Sequence, residues 1–142
     1  MKSKSLKTYA IAGSIVVGMG HSVISSAHEQ IDALGEAIGS TDLYVVWCSG
    51  GSGRLSYSIN APGGAGLVYA VSYFDGRMTS TVDPVSGDGQ PGPAAHLLGF
   101  DGPYFVAVSK TAAGAQGYRL TYHCESSGGA HTETSVSQYQ NQ

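Results

Sequence analysis

Hydrophobic and polar residues alternate along most of the chain between positions 42 and 124, which is the pattern of β-strands with one buried face. Clusters of Gly, Pro, Asp and Ser separate the alternating segments at regular intervals, as in antiparallel sandwiches and barrels. About seven strands are predicted, at residues 42–48, 54–59, 66–74, 77–82 and 94–100 and twice within 101–124. We therefore predict an all-β fold, an antiparallel β-sandwich of jelly-roll or immunoglobulin-like type over residues 42–125.

The most regular alternation lies in residues 101–124, where two strand patterns flank a turn rich in Gly and Ala. Each pattern places its large residues on one face: Tyr104, Val106 and Val108 in the first, and Tyr118, Leu120, Tyr122 and Cys124 in the second. We expect these two strands to pair as the closing hairpin of the domain. Residues 49–53 and the Asp75-Gly76 dipeptide are predicted to be the turns of two further hairpins.

The aromatic residues are mostly tyrosine, nine against three phenylalanines and one tryptophan. In the predicted strand 66–74, one face carries Leu67, Tyr69, Val71 and Tyr73. We expect most strand tyrosines to pack in the core with their hydroxyls at its rim. The alternative is that several of them share an open face, where they would form a stacking surface for carbohydrate or a partner protein.

Both flanks of the sandwich have a different pattern. Ile31, Leu34 and Ile38 recur at helical spacing, which predicts a short amphipathic helix and linker over residues 28–41, ending near Gly39. Its apolar stripe either docks on the sandwich or meets a partner. Residues 126–142 lack apolar periodicity, so we expect a polar, disordered tail.

Residues 1–27 have the pattern of a secretory signal peptide, with Lys2, Lys4 and Lys7 before an apolar run and small residues at 25–27. Cleavage after Ala27 is expected, and an uncleaved anchor is the alternative. Such a protein is secreted or periplasmic in a bacterium, without membrane insertion after cleavage. The remaining chain has four basic and ten acidic residues, a formal charge of −6, which argues against nucleic acid as a partner.

Cys48 and Cys124 lie in predicted core strands near opposite ends of the domain. In an oxidising compartment, two such cysteines are most simply interpreted as one disulfide.

The four histidines after residue 27 are His28, His96, His123 and His131, and they are candidate transition-metal ligands. His123 and His131 are eight residues apart, so both imidazoles reach one zinc or copper ion if the tail folds back; surface histidines are the alternative. If cleavage falls after Ala27, His28 offers an amine and an imidazole to copper. In that one feature the chain resembles the copper-brace proteins.

Carboxylates in turns suggest one further ion. Asp83 and Asp88 lie in the long Pro- and Gly-rich segment 83–93, which is a candidate calcium loop, although Asp is also common in ordinary turns. The chain has no Gly-x-Ser-x-Gly elbow and no phosphate-binding loop before a helix, so we do not expect an enzyme.

Three motifs resemble the pre-peptidase C-terminal domain, a small sandwich attached to secreted bacterial enzymes: DLYVV at 42–46, GPYFVAV at 102–108 and GYRLTY at 117–122. The ending Tyr122-His123-Cys124, followed by GGAHT at 128–132, is similar to a group of small exported bacterial proteins. The first resemblance implies binding of polymers or surfaces, help in secretion, or in some cases calcium, without catalysis.

We therefore predict a non-enzymatic exported sandwich that acts by binding or assembly at the cell surface or in the extracellular space. Its candidate partners are a polysaccharide, a cell-surface or exported protein, or a second copy of itself. The alternative is a small periplasmic protein that binds copper, zinc or calcium.

Overall fold

Two antiparallel sheets that pack face to face make up the fold in the computed structural model, which describes residues 27–142. The strands are β1 (His28–Leu34), β2 (Thr41–Ser49), β3 (Arg54–Asn60), β4 (Val68–Phe74), β5 (Arg77–Val82), β6 (Ala95–Leu98), β7 (Gly102–Lys110), β8 (Gln116–Glu125) and β9 (Glu133–Gln140). One sheet has the order β1-β8-β3-β6 and the other β5-β4-β7-β2-β9. The predicted all-β class with two antiparallel sheets is confirmed.

The seven strands predicted from alternation correspond to β2 through β8. The Asp75-Gly76 hairpin is confirmed, since both residues have positive φ and Phe74 pairs with Arg77 across the turn. Strand β2 lies between β7 and β9, and even its outward Val45 is buried, as expected for a segment that is apolar on both faces. Two further strands, β1 and β9, lie on the flanks of the sandwich.

The helix predicted within residues 28–41 is wrong. Residues His28–Leu34 form β1, which pairs antiparallel with β8 along its whole length. Of the three residues in the predicted apolar stripe, only Leu34 is buried, while Ile31 and Ile38 are exposed. The free edge of β8 provides backbone partners for every residue of β1, and this outweighs a helical preference that Gly35 already weakens.

The disordered tail predicted at 126–142 is also wrong, because Glu133–Gln140 forms β9 on the free edge of β2. Val136 packs against the core. Thr134 Oγ1 accepts a hydrogen bond of 2.9 Å from the Cys124 amide, and the Gln138 amide donates to the Tyr44 hydroxyl at 3.2 Å. Backbone pairing and polar side chains hold this strand, so hydrophobic periodicity gives little sign of it.

Two predicted hairpins are instead connections between the sheets. Strands β7 and β8 do not pair with each other, and the connection after β2 likewise leads to β3 in the opposite sheet. Alternation defines which side chains point inward, but it does not define which strand is the neighbour. Between β7 and β8, the buried Lys110 ammonium donates to the carbonyls of Gly114 and Gly35, which ties this crossing to the chain after β1.

The core between the sheets is rich in tyrosine and is closed by the predicted disulfide. Cys48 of β2 and Cys124 of β8 form this bond, with their Cα atoms 5.6 Å apart and a sequence separation of 76. Most strand tyrosines pack inside, as expected; the five with almost no exposure are Tyr44, Tyr57, Tyr104, Tyr118 and Tyr122.

A hydrogen-bonded chain of polar groups crosses one end of this core. The Tyr118 hydroxyl donates to the buried Asp42 carboxylate at 2.5 Å and is also 2.5 Å from the Tyr44 hydroxyl. The other Asp42 oxygen accepts from the Gln142 amide at 2.8 Å. Burial raises the pKa of Tyr44 to about 12, and burial together with the bond to Asp42 raises the pKa of Tyr118.

The signal-peptide prediction for residues 1–27 lies, except for Ala27, outside the described residues. Within residues 27–142 no helix has the length and apolar character needed to cross a membrane.

Candidate binding face and histidine cluster

The outer face of the five-stranded sheet carries a row of large apolar side chains. Strand registers align Met78 of β5 with Tyr73 of β4, Tyr73 with Phe105 of β7, and Phe105 with Val45 of β2. Adjacent strands are about 4.8 Å apart, so these side chains are neighbours across four strands. The Tyr73 and Phe105 rings lie 6.5 Å apart at an interplanar angle of 48°.

Two further aromatic residues extend this row toward β9. Trp47 lies two residues along β2 from Val45, on the same face. Tyr139 lies where the pairing of β2 with β9 shifts register, beside the Leu43–Gln140 pair. We call this surface the aromatic face; its exposed members are Trp47, Tyr73, Met78, Phe105 and Tyr139, with 42–68 % of each residue exposed.

The aromatic face carries almost no charge. Among the outward residues of its five strands, the one Asp, Glu, Lys, Arg or His is Glu133, at a corner, where Ser49 donates to it at 2.8 Å. The outward positions around the aromatic row include the hydroxyl-bearing or small residues Ser80, Ala107 and Ser135, together with aliphatic residues such as Val71. Exposed apolar surface of this kind is typical of interaction sites.

The other sheet has a contrasting outer face, which carries two arginine–carboxylate ion pairs. Arg54 of β3 pairs with Glu125 of β8, and Arg119 of β8 lies 3.8 Å from Glu29 of β1. The two outer surfaces of the sandwich therefore differ in chemistry, one charged and one aromatic. The sequence of β4 gives a partial indication of this, because Tyr69, Val71 and Tyr73 point outward while the small residues Ala70 and Ser72 point inward together with Val68 and Phe74.

Three of the predicted metal-ligand residues come together at one end of the charged sheet. His131 lies between the other two, with its ring centre 5.6 Å from that of His123 and 5.8 Å from that of His28. The rings are nearly parallel, with interplanar angles of 19° and 29°. We call these three residues the histidine stack. His96, on the edge strand β6, is exposed and pairs with Ser56.

Strand pairing with β8 assembles the histidine stack. His28 begins β1 and pairs with Tyr122, whose ring lies 5.8 Å from the His28 ring. His131 forms an isolated bridge with Glu125 after the turn at residues 126–130, in which the Gly129 amide donates to the Ser126 carbonyl at 2.9 Å. His123 itself belongs to β8.

The nitrogens of the histidine stack are unequally satisfied. His123 Nε2 lies 2.5 Å from Glu125 Oε1, and the second oxygen of Glu125 accepts from Arg54. His123 Nδ1 and His131 Nε2 are shielded from solvent and have no hydrogen-bond partner. Unpartnered buried polar atoms are rare in proteins and call for a physical explanation.

The electrostatics of the stack favour neutral imidazole at its centre. Burial lowers the pKa of His131, and the neighbouring His123 and His28 lower it further, against an opposing effect of Glu125. Burial raises the pKa of Glu125, but hydrogen bonds from His123 and Arg54 outweigh this, so its pKa is lowered overall. In the part of the chain that the structure describes, no three His, Cys, Asp or Glu side chains are already arranged to hold a metal ion.

The candidate calcium loop has a structural explanation for one of its two carboxylates. Asp83 is buried, and its oxygens accept from the amides of Ala61 at 2.7 Å and Val85 at 3.0 Å. Asp88 accepts from the Gln90 amide at 2.8 Å in a local turn. Asp83 thus fastens the segment 83–93 to the end of β3.

No protein-family model, curated protein or solved structure matches this chain. The resemblance to pre-peptidase C-terminal domains therefore stays a prediction.

Proposed function

We propose that this chain is a non-enzymatic exported binding domain whose aromatic face binds polysaccharide at the cell surface or in the extracellular space. The observation that carries the proposal is the contrast between the two outer surfaces, one with two arginine–carboxylate ion pairs and the other aromatic and nearly uncharged. A sheet face that only had to remain in water would be expected to carry charges, as the opposite sheet does.

The chemistry of the aromatic face favours a sugar ligand over a protein. Pyranose rings present flat C–H surfaces that pack on aromatic rings, together with hydroxyls that bond to polar side chains. The aromatic face combines both elements, with Ser80 diagonal to Tyr73 on the neighbouring strand and Ser135 directly opposite Trp47. Protein interfaces are also rich in aromatic residues, but they are depleted in serine and enriched in arginine.

Export is supported by the signal-like pattern of residues 1–27 and by the Cys48–Cys124 disulfide, since such bonds persist in oxidising compartments. The resemblance to pre-peptidase C-terminal domains implies the same class of role. A binding role rather than catalysis is proposed because the outward side chains of these five strands include no pair drawn from Asp, Glu, His and Lys for acid–base chemistry.

Trp47 makes the proposal directly testable, because it is the sole tryptophan and belongs to the aromatic face. Purified protein would be titrated with soluble β-glucan, xylan, chitin oligosaccharides and peptidoglycan fragments while Trp47 emission and the heat of binding are recorded. We expect at least one glycan class to bind. Phe105→Ser should weaken that binding about tenfold, the equivalent of roughly 1.4 kcal/mol.

Ile31→Ser is the matched control, because Ile31 is also an exposed apolar residue, 69 % against 42 % for Phe105, but lies on the opposite sheet. This variant should bind as the wild type does. Failure of every glycan class, or equal losses in the Phe105 and Ile31 variants, would refute the proposal. A dimer in sedimentation velocity that Phe105→Ser dissociates would assign the aromatic face to self-association instead.

A further inference from the structure

We infer that the histidine stack binds one divalent transition-metal ion of the nitrogen-preferring kind, zinc or copper(II), through His123 Nδ1, His131 Nε2 and the His28 imidazole. This site lies on the opposite sheet from the aromatic face, so the inference does not depend on glycan binding.

The unpartnered nitrogens are the first argument. His123 Nδ1 and His131 Nε2 are shielded from water and receive no hydrogen bond, although their rings are neighbours. Leaving two polar atoms desolvated in one small cluster is unfavourable unless something binds them. Imidazole nitrogen with a free lone pair is the ligand that zinc and copper prefer.

The hydrogen bonding of His123 is the second argument. A metal-bound histidine almost always gives its other ring N–H to a carboxylate or carbonyl, which holds the ring in place and strengthens the ligand. His123 has this arrangement, since its Nε2 contacts Glu125 and its Nδ1 is left free. Arg54 holds the second Glu125 oxygen, so the carboxylate is itself fixed. Glu125 and Arg54 are therefore positioning residues for the ligand His123.

Ring spacing is the third argument. Two imidazoles on one zinc ion, each with a metal–nitrogen distance of about 2.0 Å, have ring centres roughly 5 Å apart. The two spacings between neighbouring rings of the histidine stack, 5.6 and 5.8 Å, are close to this value. Because His131 lies between the other two, His28 and His123 must also approach each other for all three to bind one ion. The rings are stacked rather than convergent, so binding requires them to turn about their side-chain bonds. His131 follows a short turn and His28 begins its strand, so these two have the most freedom to turn.

The experiment is calorimetric titration of Zn²⁺, and separately Cu²⁺, into purified protein that contains His28. We expect one ion per chain. His131→Gln should lower affinity at least tenfold, and Glu125→Gln should lower it about 10- to 100-fold as the loss of an orienting carboxylate. His96→Gln is the control, because His96 is exposed and lies outside the histidine stack. The metal affinity of this variant should equal that of the wild type.

Nitrogen-15 spectra of the histidine rings, recorded with Zn²⁺, provide a second measurement. The ring nitrogen shifts would not change on addition of zinc if the histidines had only a structural role. They should show coordination through Nδ1 at His123 and Nε2 at His131. If His131→Gln unfolds, His28→Gln takes its place. Absence of binding for both metals, or equal loss in the His96 and stack variants, would overturn the inference. Binding with no change at the two named nitrogens would also overturn it.

Discussion

Cys48 and Cys124 belong to opposite sheets, and their disulfide joins β2 to β8 across the core. Both residues are almost fully buried. On one side of this bond lies β2, which carries Trp47 of the aromatic face, and on the other lies β8, which carries His123 of the histidine stack. The covalent link therefore connects the strands that carry the two proposed sites.

Removing the disulfide should destabilise the domain strongly. A bond between residues that are 76 positions apart in sequence restricts the unfolded chain, and losing it typically costs about 2–5 kcal/mol. The double variant Cys48→Ala/Cys124→Ala should show this loss in urea-induced unfolding, and Cys124→Ser should show a loss in the same range. Free thiols in the wild-type protein, or unchanged stability in the double variant, would contradict the assignment.

Strand β9 predicts a contrast between two neighbouring substitutions. Val136→Asp places a charge against the core and should lower the free energy of unfolding by about 2 kcal/mol or more. Ser137→Asp, on the exposed face of the same strand, should change it by less than about 0.5 kcal/mol. Denaturant unfolding of both variants tests this. Equal and small effects would indicate that the segment 133–140 is not docked.

The buried tyrosines predict loss of stability at alkaline pH. The pKa of Tyr44 is about 12 in the folded protein against 10.0 for a free tyrosine, so the folded state favours the neutral phenol. The stabilisation that comes from this raised pKa is fully present below pH 10, and it is lost as the pH rises to about 12. Over this pH range the free energy of unfolding should fall less steeply with rising pH for Tyr44→Phe than for the wild type. Equal slopes for the two proteins would contradict the role of Tyr44.

Cleavage of the signal peptide during export predicts the intact mass of the exported protein. If residues 1–27 are a cleaved signal, the protein recovered outside the bacterial cytoplasm begins at His28, and its intact mass lacks those residues and two hydrogens for the disulfide. Mass spectrometry of the exported fraction measures this. A full-length chain retained in the membrane would favour the uncleaved anchor.

Alternation predicts the strands correctly where large residues bury one face, as in β7 and β8. The disulfide is also predicted correctly, because the sequence has two cysteines and both lie in core strands. Alternation is not informative for strands held by backbone pairing and polar side chains. In β1 only Leu34 is buried, and in β9 only Val136 is an apolar residue packed on the core, so neither has the pattern of a half-buried strand. Which strands neighbour each other is a property of the whole chain, which is why two sheet-crossing connections were predicted as hairpins.

For the candidate sites, too, the sequence predicts which residues take part but not how the strands bring them together. His28, His123 and His131 were identified by residue type, but their proximity depends on β1 being a strand, because its pairing with β8 places His28 beside Tyr122. The aromatic face was considered as an alternative to core packing. Which of its two sets of residues a strand turns inward depends on the opposing sheet, and in β4 the set that contains Ala70 and Ser72 faces inward.

The most direct test of the central claim is to map the bound glycan by backbone amide chemical shifts of the isotope-labelled protein. We predict that the largest changes on titration fall at Trp47, Tyr73 and Phe105 on the five-stranded sheet, while β3 and β8 change little. Changes centred on β3 and β8, or no changes with any glycan class, would contradict it.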